Sequence, residues 1–113
     1  ILFPSAHRNL GGQFSHTLVQ NLSNSSNANL TVTYYKQDGT VANTFNKVLA
    51  PSGSYTFHTG PGWPEDPTNL GNVGSLRVQC TNCTSGGTQI VAVMVETLSS
   101  AGITAAYSGF KEN

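Results

Sequence analysis

Side chains able to do chemistry are few and scattered along this chain. His7, His16 and His58 are the available bases, and Asp38, Glu65, Asp66, Glu96 and Glu112 are the carboxylates. A serine hydrolase built on a nucleophile elbow would carry Gly-x-Ser-x-Gly, and a zinc peptidase His-Glu-x-x-His; neither occurs. Glu65 and Asp66 form an adjacent acidic pair in a proline-rich stretch. A calcium loop needs several oxygen ligands at fixed spacing, and WPEDPTN supplies none. Isolated histidines are ordinarily satisfied structural residues. The expectation is therefore no enzyme, no resident metal and no cofactor.

The two cysteines, Cys80 and Cys83, stand as CTNC. A redox pair would sit at a helix N-terminus, which depresses the thiol pKa, and nothing after Cys83 has helical periodicity. A zinc site needs four ligands, and no second pair or histidine cluster is present. A small disulfide closing the turn between two strands is the expected reading, and it fits an oxidising compartment.

Four Asn-x-Ser/Thr sequons begin at Asn21, Asn24, Asn29 and Asn82. Three of them crowd a Ser/Asn-rich turn, where an exposed glycan would be carried. All four are candidate acceptors, and glycans are a candidate partner. Aromatic residues raise a second possibility, sugar stacking. Alternate aromatics on strands usually belong to the core, which leaves Trp63 and Tyr35 as the surface candidates for a sugar platform.

Composition narrows the partners. Five Lys plus Arg balance five Asp plus Glu, so the net charge is zero, and charged residues are only 9% of the 113-residue chain, against about 25% in an average soluble domain. Ser, Thr, Asn and Gly take their place. No basic excess exists to displace counterions from phosphates, so nucleic acid is not an expected partner. No apolar run approaches the roughly 18 residues that span a bilayer, so membrane insertion is not expected either. A neutral surface also lacks the self-repulsion that keeps copies apart.

The elements that must position these residues read as short strands. Gln13 to Asn21, Asn29 to Lys36, Thr40 to Leu49, Ser54 to His58 and Gly74 to Cys80 alternate with a period of two. Asp38-Gly39 between two such runs is a hairpin signal. Thr88 to Leu98 holds the run Ile90 to Val95, whose continuous apolar character predicts a strand covered on both faces. Leu2 to Arg8 and Gly102 to Phe110 complete about eight strands. The segment from Thr59 to Val73, broken by Pro61, Pro64 and Pro67, is a long connection that suits binding or packing. One domain spanning 1–113 is expected, all-β, as an antiparallel β-sandwich.

The stretches FPSAHRN, TLVQNLSNSSNANLTVTYYKQDGTVANTF, LAPSGSYTFHTG, VGSLRVQC, QIVAVMVETLSSAG and AAYSGF together resemble one copy of an immunoglobulin-like β-sandwich repeat. Such repeats occur in secreted surface proteins of filamentous bacteria of the Chloroflexota type. The CTNC turn and the long Trp63 segment depart from that pattern. The resemblance implies no catalytic residues; it implies an extracellular structural or adhesive role.

The start at Ile1, with no Met and no leader pattern, reads as that of a mature secreted product. The functional expectation is an extracellular, cell-surface subunit that polymerises with itself into a filament or layer through sheet edges or a terminal strand. Ile1, Leu2, Phe3 and Pro4 are the assembly candidates because an apolar terminal segment can add to a neighbour's sheet. The alternative is a carbohydrate-binding or adhesive module presenting Trp63 and Tyr35.

Overall fold

The computed structural model describes residues 1–84, 89–98 and 102–109. Within them the chain is all-β and antiparallel, as expected, with eight strands and no helix. These are β1 (Leu2–Leu10), β2 (Gln13–Asn21), β3 (Ala28–Lys36), β4 (Val41–Leu49), β5 (Ser54–His58), β6 (Val73–Cys80), β7 (Ile90–Leu98) and β8 (Gly102–Ser108). The hydrogen-bonded path runs β4-β3-β6-β1-β2-β7-β8, with β5 on β2 as well.

β1 joins the two halves of that path. Its first part pairs with β6, from Leu2 opposite Arg77 to His7 opposite Val73. Arg8 and Leu10 then pair with β2. Gly11 and Gly12 make the tight turn into β2 with φ of 58° and 86°, both in the left-handed region that two-residue hairpins require. A register shift between Phe3 and Ala6 marks a bulge in β1, and both of those residues are fully buried. One apolar cluster collects Phe3 from β1, Leu30 and Val32 from β3, Val78 from β6, Phe57 from β5 and Met94 from β7. Side chains from both halves of the path therefore share a single core.

Tyr34 lies in that core with an unusual liability. Its hydroxyl is buried and has no hydrogen-bond partner among the described residues, and burial pushes its pKa well above the ordinary tyrosine value. An unpaired buried hydroxyl forfeits its hydration without compensation. Tyr34→Phe is therefore expected to raise the thermal midpoint, by about 1 kcal/mol of stability, in a melt followed by circular dichroism.

β7 departs from the sequence expectation in an informative way. It is central in hydrogen bonding, with β2 on one side and β8 on the other. Only one of its faces is covered, however. Ala92, Met94 and Glu96 are buried, whereas Val91 and Val93 are each 40% exposed. A strand with the residue pattern of two-sided burial carries one bare face.

The proline-rich segment is pinned by its own acidic pair. Arg8 holds Asp66 with two bonds, Nε to Oδ1 at 2.7 Å and NH2 to Oδ2 at 2.9 Å. Tyr55 donates to Glu65 at 2.8 Å, and Lys47 lies 3.8 Å over the Tyr55 ring. The two carboxylates tie the loop down and are not presented together to a cation.

Candidate functional site

The bare face of β7 continues across its neighbours. Register places Leu18 of β2 opposite Val93, Gln20 opposite Val91 and His16 opposite Val95. On β5, Thr56 and His58 lie opposite Leu18 and His16. On β8, Ala106 pairs with Val95 and Ile103 with Thr97. Leu18 is 44% exposed and Ile103 71%. No Asp, Glu, Lys or Arg is among these positions. The far side of β3 and β6 is quite different, with Thr31, Thr33 and Tyr35 beside Gln79, Arg77 and Ser75. One outer face carries the Arg77 charge; the other is uncharged and sets Leu18, Val91, Val93, Val95 and Ile103 among neutral polar side chains such as Gln20, Thr56, Thr97 and Ser108.

An aromatic stack closes one end of the apolar face. Trp63, 46% exposed, lies parallel to the His58 ring at 4.6 Å between centroids. Phe14 stacks on His58 at 5.9 Å, and the His16 ring meets it edge-on at 3.9 Å. The Gly60 N–H donates to His58 Nδ1 at 2.6 Å, an approach that a side chain at Gly60 would block, since a Cβ there meets the ring. That bond requires an unprotonated Nδ1. Burial, reinforced by His16 and opposed by Asp66, holds the His58 pKa down to about 4. Burial also lowers His16, against the opposing charge of Glu96.

A stability consequence follows from the direction of these shifts. In the unfolded chain both rings take up protons near pH 6.5, whereas the folded chain resists until lower pH. Stability is complete above that value and falls as pH drops from about 6.5 towards 4. The expected loss from His58 is about 1–2 kcal/mol, reduced because the ring is partly open to solvent. Denaturant midpoints of the unaltered chain and of His58→Phe, compared at pH 7 and pH 4.5, measure it; the variant should lose less.

The structure redistributes the residues singled out from sequence. Cys80 and Cys83 are joined as a disulfide with their Cα atoms 5.5 Å apart. Among the sequon asparagines, Asn21 presents no exposed amide. It is fully buried, and its amide nitrogen donates to the carbonyls of Ser26 and Ala50, at 2.8 and 3.1 Å. Its oxygen accepts from Ser23 N at 3.1 Å and Gln89 Nε2 at 3.3 Å. Asn24, Asn29 and Asn82 are exposed. Of these, Asn82 is engaged as a clip, donating to Asn27 O at 3.0 Å and accepting from Asn29 N at 2.8 Å.

The first four residues are occupied in their own sheet. The Ile1 ammonium donates to Val78 O at 2.8 Å, and Val78 N returns a bond to Ile1 O at 2.8 Å. Phe3 is fully buried, so lending this segment to a neighbour would open the core. Trp63 and Tyr35 are not brought together. Trp63 stands against β5, while Tyr35 on β3 lies beneath the Arg77 guanidinium at 5.7 Å.

Sequence reasoning missed one polar constellation. Glu96, 3% exposed, accepts from Ser15 Oγ at 2.8 Å and lies 3.1 Å from His7 Nδ1. The other ring nitrogen, His7 Nε2, is 3.2 Å from Ser5 Oγ. Ser-x-His on a strand is the only local trace of this arrangement, because its carboxylate stands 89 positions away.

Compared with protein-family models, with curated proteins and with solved structures, the chain finds no match in any of the three. What the fold and faces define is an all-β antiparallel domain with one outer face that carries charge and one that carries none.

Proposed function

We propose that the chain is an extracellular structural subunit, read as a β-sandwich of the two halves around their common core, that associates with further copies of itself into a surface filament or layer. The observation carrying this reading is the bare face of β7 and its neighbours. Leu18, Val91, Val93 and Ile103 are exposed on it, no charged residue is among its positions, and apart from Trp63 stacked on His58 no described residue is seen to cover it. Four strands at about 4.8 Å spacing, and about 25 Å of strand length, give roughly 500 Å² of flat footprint per copy. Two such faces bury roughly 1,000 Å² together, about the threshold for a specific interface. Sheets pack face to face in this manner at about 10 Å.

A second copy is the favoured occupant because the face is neutral and the chain's net charge is zero. Like faces meet without repulsion. The disulfide is compatible with an extracellular setting, and Asn24 and Asn29 remain exposed candidates for glycans. Contact therefore shifts from the terminal strand expected at first to the face itself.

Electron microscopy of the purified chain tests the proposal. Uniform polymers or sheets are the expected result. A monodisperse particle that binds polysaccharide, and loses binding on Trp63→Ala, overturns it in favour of an adhesive module, for which the exposed Trp63 ring is the supporting feature.

A further inference from the structure

We propose that Ser5 is an acylatable nucleophile, with His7 as its proton acceptor and Glu96 as the group that positions His7. The inference is independent of self-association, because these residues lie where β1 meets β7 and β8 and not on the apolar outer face.

The geometry has the order that nucleophilic catalysis requires. Ser5 Oγ is 3.2 Å from His7 Nε2, and His7 Nδ1 is 3.1 Å from Glu96 Oε2. Ser5 is half-buried, the His7 side chain is 21% exposed and that of Glu96 only 4%. A carboxylate only accepts, so the His7 proton facing it sits on Nδ1. In the neutral ring Nε2 then carries the lone pair, and the Ser5 hydroxyl donates to it.

The surroundings fix each member. Ser15 Oγ and the Tyr107 hydroxyl both reach Glu96 Oε1, at 2.8 and 3.2 Å. His7 is held through its backbone on both sides. Its N–H donates to Ser15 Oγ at 2.8 Å, and its carbonyl accepts from Thr59 Oγ1 at 2.6 Å. The Tyr107 hydroxyl is also 2.8 Å from the Ser5 carbonyl. The β1 bulge lies between Phe3 and Ala6, the interval that holds Pro4 and Ser5, and bulges commonly re-aim side chains beside active sites. A buried carboxylate meeting hydroxyls alone would need no histidine; here it orients an imidazole whose far nitrogen faces a serine.

The substrate class is an activated acyl donor, an aryl ester or thioester, whose phenolate or thiolate departs without needing a proton. Ser5 Oγ attacks the acyl carbon while its proton passes to His7 Nε2. The new O–C bond forms as the bond to the leaving group breaks. His7 first gives that proton up to solvent; water then loses a proton to His7 Nε2 as it attacks the acyl carbon, the bond to Ser5 Oγ breaks, and the same proton returns to Ser5 as the carboxylic acid leaves.

The test uses a fluorophosphonate probe, which forms a stable O–P bond with loss of fluoride, on the full chain at a dilution where it is monomeric. Adducts are mapped by peptide mass spectrometry. Ser5 is expected to label about a hundredfold faster than any other serine, consistent with general-base assistance. The rate should rise with pH, since only the unprotonated His7 ring can take the Ser5 proton. Ser5→Ala should abolish the adduct, and His7→Gln should slow it and flatten the pH profile, with circular dichroism confirming the fold of each. Val93→Lys should label like the unaltered chain, which separates this result from any failure of self-association. Labelling of Ser5 no faster than that of other exposed serines overturns the proposal. So does an undiminished rate in a folded His7→Gln chain.

Discussion

The double substitution Leu18→Lys, Val93→Lys is expected to hold the chain as a folded monomer at concentrations where the unaltered chain associates. Leu18 and Val93 face each other directly across the β2–β7 ladder, at 44% and 40% exposure. In the monomer both ammonium groups reach water, so the cost to folding is within about 0.5 kcal/mol per site, as for ordinary surface substitutions. In a face-to-face contact the same groups lose their water with no acidic partner on the face. The effective penalty is several kcal/mol per ion, comparable to everything a roughly 1,000 Å² interface of this kind supplies. Sedimentation velocity reads the result. Val41→Lys with Val48→Lys, on the exposed edge strand β4, should leave association unchanged. Added salt should not weaken the unaltered contact, since no exposed charge pairs hold it.

Asn21→Ala is expected to be the most damaging single change for stability. Asn21 sits at the end of β2 and ties together three backbone segments: its own turn through Ser23 and Ser26, the end of β4 through Leu49 and Ala50, and Gln89 ahead of β7. Truncation leaves the Ser23 N–H and several carbonyls without that partner at a strand end where the Asn21 side chain itself is fully buried. The expected cost is about 3 kcal/mol, on the order of 15 °C in Tm for a domain of this size. Asn24→Ala, three positions away and exposed, should move the midpoint very little. Equal, small effects at the two positions contradict the role assigned to Asn21.

These two asparagines show where sequence reading stops. Both begin sequons in the same Ser/Asn-rich stretch, and local motif cannot tell them apart. What separates them is that Asn21 ends a strand whose inward positions are Ser15, Thr17, Val19 and Asn21, a parity set by β2 packing against its neighbours. Strand positions were legible because alternation and turn residues are local signals. The Ile90–Val95 run was legible as a strand, but its expected burial on both faces was wrong: Ala92 and Met94 face the core while Val91 and Val93 are exposed. Beyond the Asp38-Gly39 hairpin of β3 and β4, pairing was not legible: β1 serves β6 and then β2, and its β6 partners lie more than sixty residues away. The Ser5–His7–Glu96 relay is the extreme case, because its chemistry arises only when β7 is laid beside β1.

Methyl NMR over a dilution series tests the central claim most directly, because it reports which face meets another copy. With rising concentration, resonance shifts should gather at Leu18, Val91, Val93, Val95 and Ile103, while Val41 and Val48 on β4 and Leu2 on β1 stay unchanged. Shifts confined to β4 or to the first residues would place the contact at an edge or a terminal strand instead. A series with no shifts at any concentration contradicts self-association altogether.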